Sequence, residues 1–128
     1  MKALIVDQCL LLGTLLSRDL QDLGIGAIAV DTIARAKTEI LRSKPDVLIT
    51  DLFFKDGDFL EFASYRELFP IILLTIHHDS IGSDELKKGV DTCLHKSVNP
   101  IPLLVVAEKL VERRRAATLC RPILSGKI

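Results

Sequence analysis

Polar side chains of complementary chemistry stand at the ends of apolar runs in this sequence. They are Asp7, Asp51, Thr75 and Lys96, and each follows or closes a run that is apolar enough to be a buried strand. The carboxyl ends of parallel strands meet at one edge of a sheet, and ligands bind beyond that edge. The sequence therefore predicts one site where two carboxylates, a hydroxyl and an ammonium converge, each delivered by a different strand.

The elements that would position these groups alternate along the chain. Short apolar runs typical of buried strands occupy residues 3–6, 27–30, 47–50, 71–75 and 92–96. Segments with helical spacing lie at residues 9–23, 33–43, 58–68, 80–89 and 101–115. This alternation predicts βαβ units and a parallel sheet. We therefore expect an α/β fold with a five-stranded, doubly wound parallel sheet and helices on both faces.

Apolar stripes predict which side of each helix faces the sheet. The stripe of the first helical segment consists of Leu12, Leu16, Leu20 and Leu23. The stripe of the second follows a predicted N-cap at Thr32 and consists of Ile33, Ala36, Ile40 and Leu41. The third carries a looser pattern of Phe59, Phe62 and Leu68. Residues 116–128 lose the periodicity at Pro122, so we interpret them as a tail or the start of a linker.

Composition excludes several classes of protein. The chain has 128 residues, enough for one domain with a core of its own, and its 17 basic and 17 acidic side chains balance. A balanced charge gives no overall field to attract nucleic acid or an anionic membrane. The three cysteines are widely scattered, which favours a reducing compartment. The apolar run near the start ends at Asp7, too early for a signal peptide, so we expect a cytoplasmic protein.

Four short motifs carry a resemblance to a known family. They are "IVDQ" at 5–8, "LITD" at 48–51, "ILLT" at 72–75 and "CLHK" at 93–96. In this order, with 44 positions from Asp7 to Asp51 and 21 from Thr75 to Lys96, they resemble the receiver domain of bacterial two-component response regulators. The resemblance covers roughly residues 2–115. It implies a flavodoxin-like fold with strand order 2-1-3-4-5, and a receiver-like domain at residues 1–115 followed by the tail.

The resemblance implies a phosphorylated switch, not an enzyme. Asp51 would accept a phosphoryl group from the phosphohistidine of a histidine kinase or phosphotransfer protein. Lys96 would place positive charge on the phosphoryl oxygens, and Thr75 would donate its hydroxyl to the attached group. The family's Mg²⁺ would lie among Asp7, Gln8, Asp51 and Phe53, because a hard cation takes oxygen ligands.

The chain departs from the family's pattern at several of these positions. Gln8 stands where receivers have a second acid, so we expect weak Mg²⁺ binding. Cys93 stands where they have a switch aromatic residue, and Ser97 replaces the proline after the lysine. Phe53 and His77 take the two places that flank the water for hydrolysis, so we expect a long-lived phosphoryl group.

A surface of the first helix suggests the partners. Leu11 and Leu15 lie off the predicted core stripe, on the helix that receivers use to dock a kinase, so we expect partner contact there. A downstream protein or output domain would read the switch, and the interpretation leaves room for a homodimer. Arg113, Arg114 and Arg115 are interpreted as cations at a helix end, so neither nucleic acid nor membrane is an expected partner.

Three other functions are compared with the sequence features. The departures leave open a pseudo-receiver that acts as a phosphorylation-independent interaction module. A nucleotide or flavin enzyme would need a glycine-rich phosphate loop, and "DQCLLLG" follows the first strand instead. A transition-metal site would have to be built from His77, His78 and His95, which lack ligand spacing.

Overall fold

A five-stranded parallel sheet forms the centre of the molecule. The computed structural model describes residues 1–76, 89–96 and 99–125, with side chains through residue 118. The sheet strands are β1 (Lys2–Val6), β2 (Gly26–Val30), β3 (Val47–Thr50), β6 (Ile71–Thr75) and β7 (Thr92–His95). They pair in the order β2-β1-β3-β6-β7, and every pair is parallel. Among the sheet strands this is the order 2-1-3-4-5, so the predicted fold is confirmed.

A small hairpin lies between β3 and β6. It consists of β4 (Phe53–Phe54) and β5 (Gly57–Asp58), paired antiparallel. The sequence did not predict it, because strands of two residues are too short to show an alternation.

Helices cover the sheet where the sequence placed them, with differences in type and length. They are α1 (Leu10–Asp22), α2 (Ile33–Arg42), a 3-10 helix (Phe59–Glu67) and α3 (Ile101–Ser125). The N-cap predicted at Thr32 is present, since its side chain accepts a hydrogen bond from Arg35 N at 3.1 Å. The segment predicted as a third helix is a 3-10 helix, and α3 continues beyond residue 115 and past Pro122. Most of the segment 80–89 lies outside the described residues.

Two apolar clusters lie on opposite faces of the sheet. Under α2 and the 3-10 helix, side chains such as Leu4, Leu48 and Ile71 pack against Ala36, Ile40, Phe59 and Phe62. Under α1 and α3, Ile5, Val47 and Ile72 pack against Leu20, Leu103, Ala107 and Val111. Alternate residues of each strand therefore serve opposite clusters, as expected for a sheet that is covered on both faces.

The core stripe predicted for α1 was half right, because Leu20 is buried and Leu16 packs against the apolar cluster under α1, but the other two leucines are exposed. Leu12 is 52% exposed and Leu23 is also exposed, whereas Gly13, Ser17 and Leu20 are buried. A Cβ at Gly13 would lie 3.2 Å from Asp7 Cβ, so α1 approaches the sheet through its small residues. That close approach leaves Leu12 and Leu23 facing outward.

Two further members of the predicted stripes also face solvent. Leu41 of α2 is 87% exposed, and Leu68 after the 3-10 helix is exposed. Among the described residues, no helix combines the length and apolarity needed to cross a membrane.

Candidate functional site

The two acids at the strand ends are placed by main-chain hydrogen bonds. Asp7 N donates to Val30 O at 3.0 Å, and Asp51 N donates to Val6 O at 2.8 Å. These bonds continue the parallel ladders by one residue beyond β1 and β3. Because the backbone is fixed there, both buried carboxylates reach the same edge of the sheet.

Lys96 joins the two acids. Its Nζ lies 3.1 Å from Asp7 Oδ2 and 3.2 Å from Asp51 Oδ1. Its backbone N donates to Thr75 O at 3.1 Å, which holds the end of β7 beside the end of β6. The structure thus brings three of the four predicted side chains into contact, and the buried Thr75 lies at the same edge.

The electrostatic balance of this cluster favours a charged lysine. Burial works against the ammonium, but the attraction of Asp51 and Asp7 and their hydrogen bonds outweigh it, so the pKa of Lys96 is raised. The cluster holds two carboxylates and one ammonium, and it therefore retains one net negative charge.

Each carboxylate also accepts a hydrogen bond from the backbone that follows it. Cys9 N donates to Asp7 Oδ1 at 2.9 Å, just before α1 begins. Leu52 N donates to Asp51 Oδ1 at 3.0 Å. The Asp7 carboxylate therefore both binds a backbone amide at the start of α1 and contributes to the site. The orientation of the Asp51 carboxylate is set by the amide of Leu52.

The residues assigned to Mg²⁺ provide a small set of oxygen donors. Asp7 and Asp51 contribute carboxylates, Gln8 is exposed and contributes an amide oxygen, and Phe53 has only its backbone carbonyl to offer. The described residues contain no group of three or more His, Cys, Asp or Glu side chains suited to a metal. Two carboxylates with neutral oxygens fit a hydrated Mg²⁺, which keeps several waters. Lys96 would compete with that ion for both acids.

The remaining predicted residues have different environments. Phe53 is 57% exposed beside the site. Cys93 is half-buried and packs against the apolar cluster under α2 and the 3-10 helix. This burial raises the pKa of its thiol. His77 lies outside the described residues.

An apolar cavity of about 390 Å³ adjoins the acid cluster. Its walls include Leu12, Leu15 and Leu16 of α1, with Leu74 and Ile76 opposite, and it reaches Asp7 and Lys96. Leu15 is 46% exposed and Leu11, outside the lining, is 67% exposed. The leucines of α1 thus form an apolar surface next to the site, and Leu12, which the sequence assigned to the core, belongs to it.

Sequence reasoning missed one residue of the loop that follows Asp51. Asp56, at the tip of the β4–β5 hairpin, accepts hydrogen bonds from the first two amides of α2. The available signal was the Asp56-Gly57 pair after two phenylalanines, since Asp-Gly is a strong hairpin-turn pair.

Solved structures similar to this one include response regulators and a receiver domain of a response regulator. A two-component response regulator from Clostridium difficile has a TM-score of 0.72 and 25% identity, over 90% of this chain and 98% of that chain. TrrA from Thermotoga maritima, in complex with Mg²⁺ and BeF, has a TM-score of 0.75 and 25% identity, over 85% and 97%. The chain has the fold of a response-regulator receiver domain.

A longer relative in structure contains the receiver fold as one part. NtrX from Brucella abortus has a TM-score of 0.82 and 15% identity, over 95% of this chain and 29% of that chain. No protein-family model matches the sequence of this chain, and no curated protein matches it.

Proposed function

We propose that this receiver domain accepts a phosphoryl group on Asp51 from a phosphohistidine of a histidine kinase or phosphotransfer protein. The observation that carries the proposal is the Lys96 ammonium, within 3.2 Å of Asp51 and 3.1 Å of Asp7. An anionic nucleophile meets an anionic phosphoryl group only where positive charge is already in place.

The transfer step follows from the contacts of the acceptor. Asp51 Oδ1 is engaged by Leu52 N and Lys96, so Oδ2 is assigned the attack on phosphorus. A bond forms from Oδ2 to phosphorus, the phosphorus–nitrogen bond breaks, and the imidazole leaves with the electron pair and takes a proton from solvent. Lys96 then moves its charge from the carboxylate to the phosphoryl oxygens.

Other residues support the step without bonding to phosphorus. A Mg²⁺ held by Asp7, Asp51, Gln8 and the Phe53 carbonyl would neutralise charge on the phosphoryl oxygens. Thr75 provides a hydroxyl at the same edge, which would bind the phosphoryl group and couple phosphorylation to a change of surface. The chain then acts as a switch in the cytoplasm, read by a downstream protein or output domain, and not as an enzyme.

The apolar surface of α1 is the proposed docking face for the phosphodonor. Leu11 and Leu15 are exposed there, and the adjoining cavity opens toward Asp7 and Lys96. A helix from a kinase or phosphotransfer protein that packs on these leucines would bring its phosphohistidine to Asp51.

A second function is favoured by the contact of Lys96 with both acids and by the exposed Gln8. With one ammonium already on both carboxylates, the receiver fold would also serve as an interaction module that works without phosphate.

Intact-mass measurement separates the two functions. Incubation with acetyl phosphate and Mg²⁺ should add the mass of one phosphoryl group to the wild type and none to Asp51→Asn. Asp58→Asn is the matched control, because Asp58 lies on the same loop and caps the 3-10 helix through Leu60 N. Absence of the added mass from wild type under these conditions would select the interaction module.

A further inference from the structure

The loop that follows Asp51, from Leu52 to Phe59, is called the acceptor loop, and the tip of this loop is attached to α2. Asp56 Oδ1 accepts a hydrogen bond from Ile33 N, and Oδ2 accepts one from Ala34 N, each at 3.1 Å. A helix leaves its first amides without intrahelical partners, and its positive end favours a carboxylate. A single side chain from the acceptor loop therefore binds α2 with both of its oxygens.

The same loop is also held at its base and centre. Phe59 N donates to Leu52 O at 3.1 Å, which closes the base beside Asp51. Phe54 is buried, and its ring meets that of Phe62 edge to face, with centroids 6.2 Å apart. The exposed Phe53 lies between Leu52 at the base and Phe54 at the centre of the loop.

Gly57 permits the close approach of the tip to α2. Its φ is +144°, and a Cβ at this position would lie 2.9 Å from Ile33 Cδ1. A side chain here would have to push the tip away from the helix. The hydrogen bonds from Ile33 and Ala34 also lower the pKa of Asp56, so the carboxylate stays charged.

We propose that Asp56 is a positioning residue that fixes the loop beside Asp51 and thereby sets Mg²⁺ affinity at the acceptor. The part of this proposal that concerns Mg²⁺ affinity rests on the proposed function, in which the Phe53 carbonyl is a ligand of the ion. Loss of the attachment at the tip would leave the segment from Leu52 to Phe59 held only at its base and centre. We expect this to loosen the segment, including the amide that orients the Asp51 carboxylate.

A matched control exists at the same helix end. Thr32 accepts a hydrogen bond from Arg35 N at 3.1 Å and so caps α2 through the first turn of the helix itself. Asp56 caps the same helix and also holds the loop. Both Thr32→Ala and Asp56→Ala should lower the melting temperature by several degrees, because each removes a cap.

Two measurements distinguish the variants. Amide hydrogen exchange at Leu52 and Phe59 should accelerate by about tenfold in Asp56→Ala and stay unchanged in Thr32→Ala. Mg²⁺ affinity, followed by NMR shifts of the Asp7 and Asp51 amides, should fall by about tenfold in Asp56→Ala alone. Asp56→Asn, which retains one acceptor oxygen, should give intermediate exchange and serves if the alanine variant does not fold.

Each outcome decides the proposal. Unchanged exchange in both Asp56 variants, or equal acceleration in Thr32→Ala, would show that Asp56 only caps α2 and would overturn the inference. Faster exchange with unchanged Mg²⁺ affinity would also overturn it, because the loop would then not set the ion's binding. Failure of the wild type to bind Mg²⁺ would overturn the affinity claim and count against the proposed function, while the exchange data would still report the attachment.

Discussion

The loops after β1 and β3 deliver the same chemical group and are built differently. Both acids are fixed by a hydrogen bond that extends a strand ladder, and both carboxylates reach Lys96. The first loop passes directly into α1 and leaves Gln8 exposed. The second folds into a hairpin that is attached to α2 through Asp56.

This comparison shows which residues of the site have positions that are fixed by the sheet. A carboxylate at a strand end takes its position from the sheet, so its surroundings can change without moving it. The residues next to it take their positions from the loop. The departures from the receiver pattern at Gln8 and Phe53 fall in these loops, which is where we expect altered metal binding and altered lifetime.

Removal of the lysine that both loops share should give the largest effect. In Lys96→Met the charge that neutralises the incoming phosphoryl group is lost, so phosphorylation by acetyl phosphate should slow by about 100-fold. Mg²⁺ should bind more tightly, since the competing ammonium is gone. Time-resolved intact mass and a Mg²⁺ titration measure the two effects. Weaker metal binding in this variant would mean that Lys96 does not compete with the ion.

The first loop can be tested by restoring an acid. In Gln8→Asp the site gains a third carboxylate, and Mg²⁺ affinity should rise by about tenfold because the charge of the ligand set increases. NMR shifts of the site amides during titration report the affinity. Gln8→Glu is the companion variant, with the same charge on a longer side chain. Equal affinity in wild type and Gln8→Asp would show that position 8 does not face the ion.

The second loop can be tested through the lifetime of the phosphoryl group. Phe53 adds bulk and offers no hydrogen bond to an attacking water, so an asparagine there should stabilise the in-line water by about 1 kcal/mol. Decay of the phosphoryl group in Phe53→Asn should therefore be roughly fivefold faster. Phe53→Leu keeps an apolar side chain and should decay like the wild type. A fast wild-type decay, or the same rate in all three proteins, would exclude Phe53 from controlling the water.

The helix that follows the first loop should show the smallest effect on stability. Leu11→Glu and Leu15→Glu change exposed side chains, so the free energy of unfolding should move by less than about 0.5 kcal/mol. Phosphorylation by acetyl phosphate should be unchanged, whereas transfer from a cognate kinase should fall. Leu20→Ala, in the buried position of α1, is the contrasting variant and should cost about 2–5 kcal/mol. Unfolding of either glutamate variant would place those leucines in the core.

Regular patterns in the sequence predicted the regular parts of the fold. The apolar runs identified all five sheet strands, because strands buried on both faces have continuous apolar sequence. Thr32 was a correct cap, since a hydroxyl directly before an apolar helix has a local partner in the helix backbone.

Prediction failed where the answer depended on the distance between elements. The leucine stripe of α1 satisfied the helical period, and Leu20 is buried as predicted. Gly13 and Ser17 allow closer approach to the sheet and are buried beside it, whereas Leu12 and Leu23 are exposed. The length of α3 and the hairpin also escaped prediction. Pro122 lies inside α3, although proline normally ends a helix, and two-residue strands carry no period.

The sequence by itself determined the parallel sheet and the identity of the groups at its edge. Strand ends are local features, and the residue type alone gives the functional group at Asp7, Asp51, Thr75 and Lys96. Only the tertiary structure decided that one ammonium contacts both acids, that Leu12 of α1 faces outward while Leu20 is buried, and that Asp56 attaches the acceptor loop to α2. These contacts join residues distant in sequence, from 22 to 89 positions apart for the hydrogen bonds. Packing sets such distances, and no local pattern encodes them.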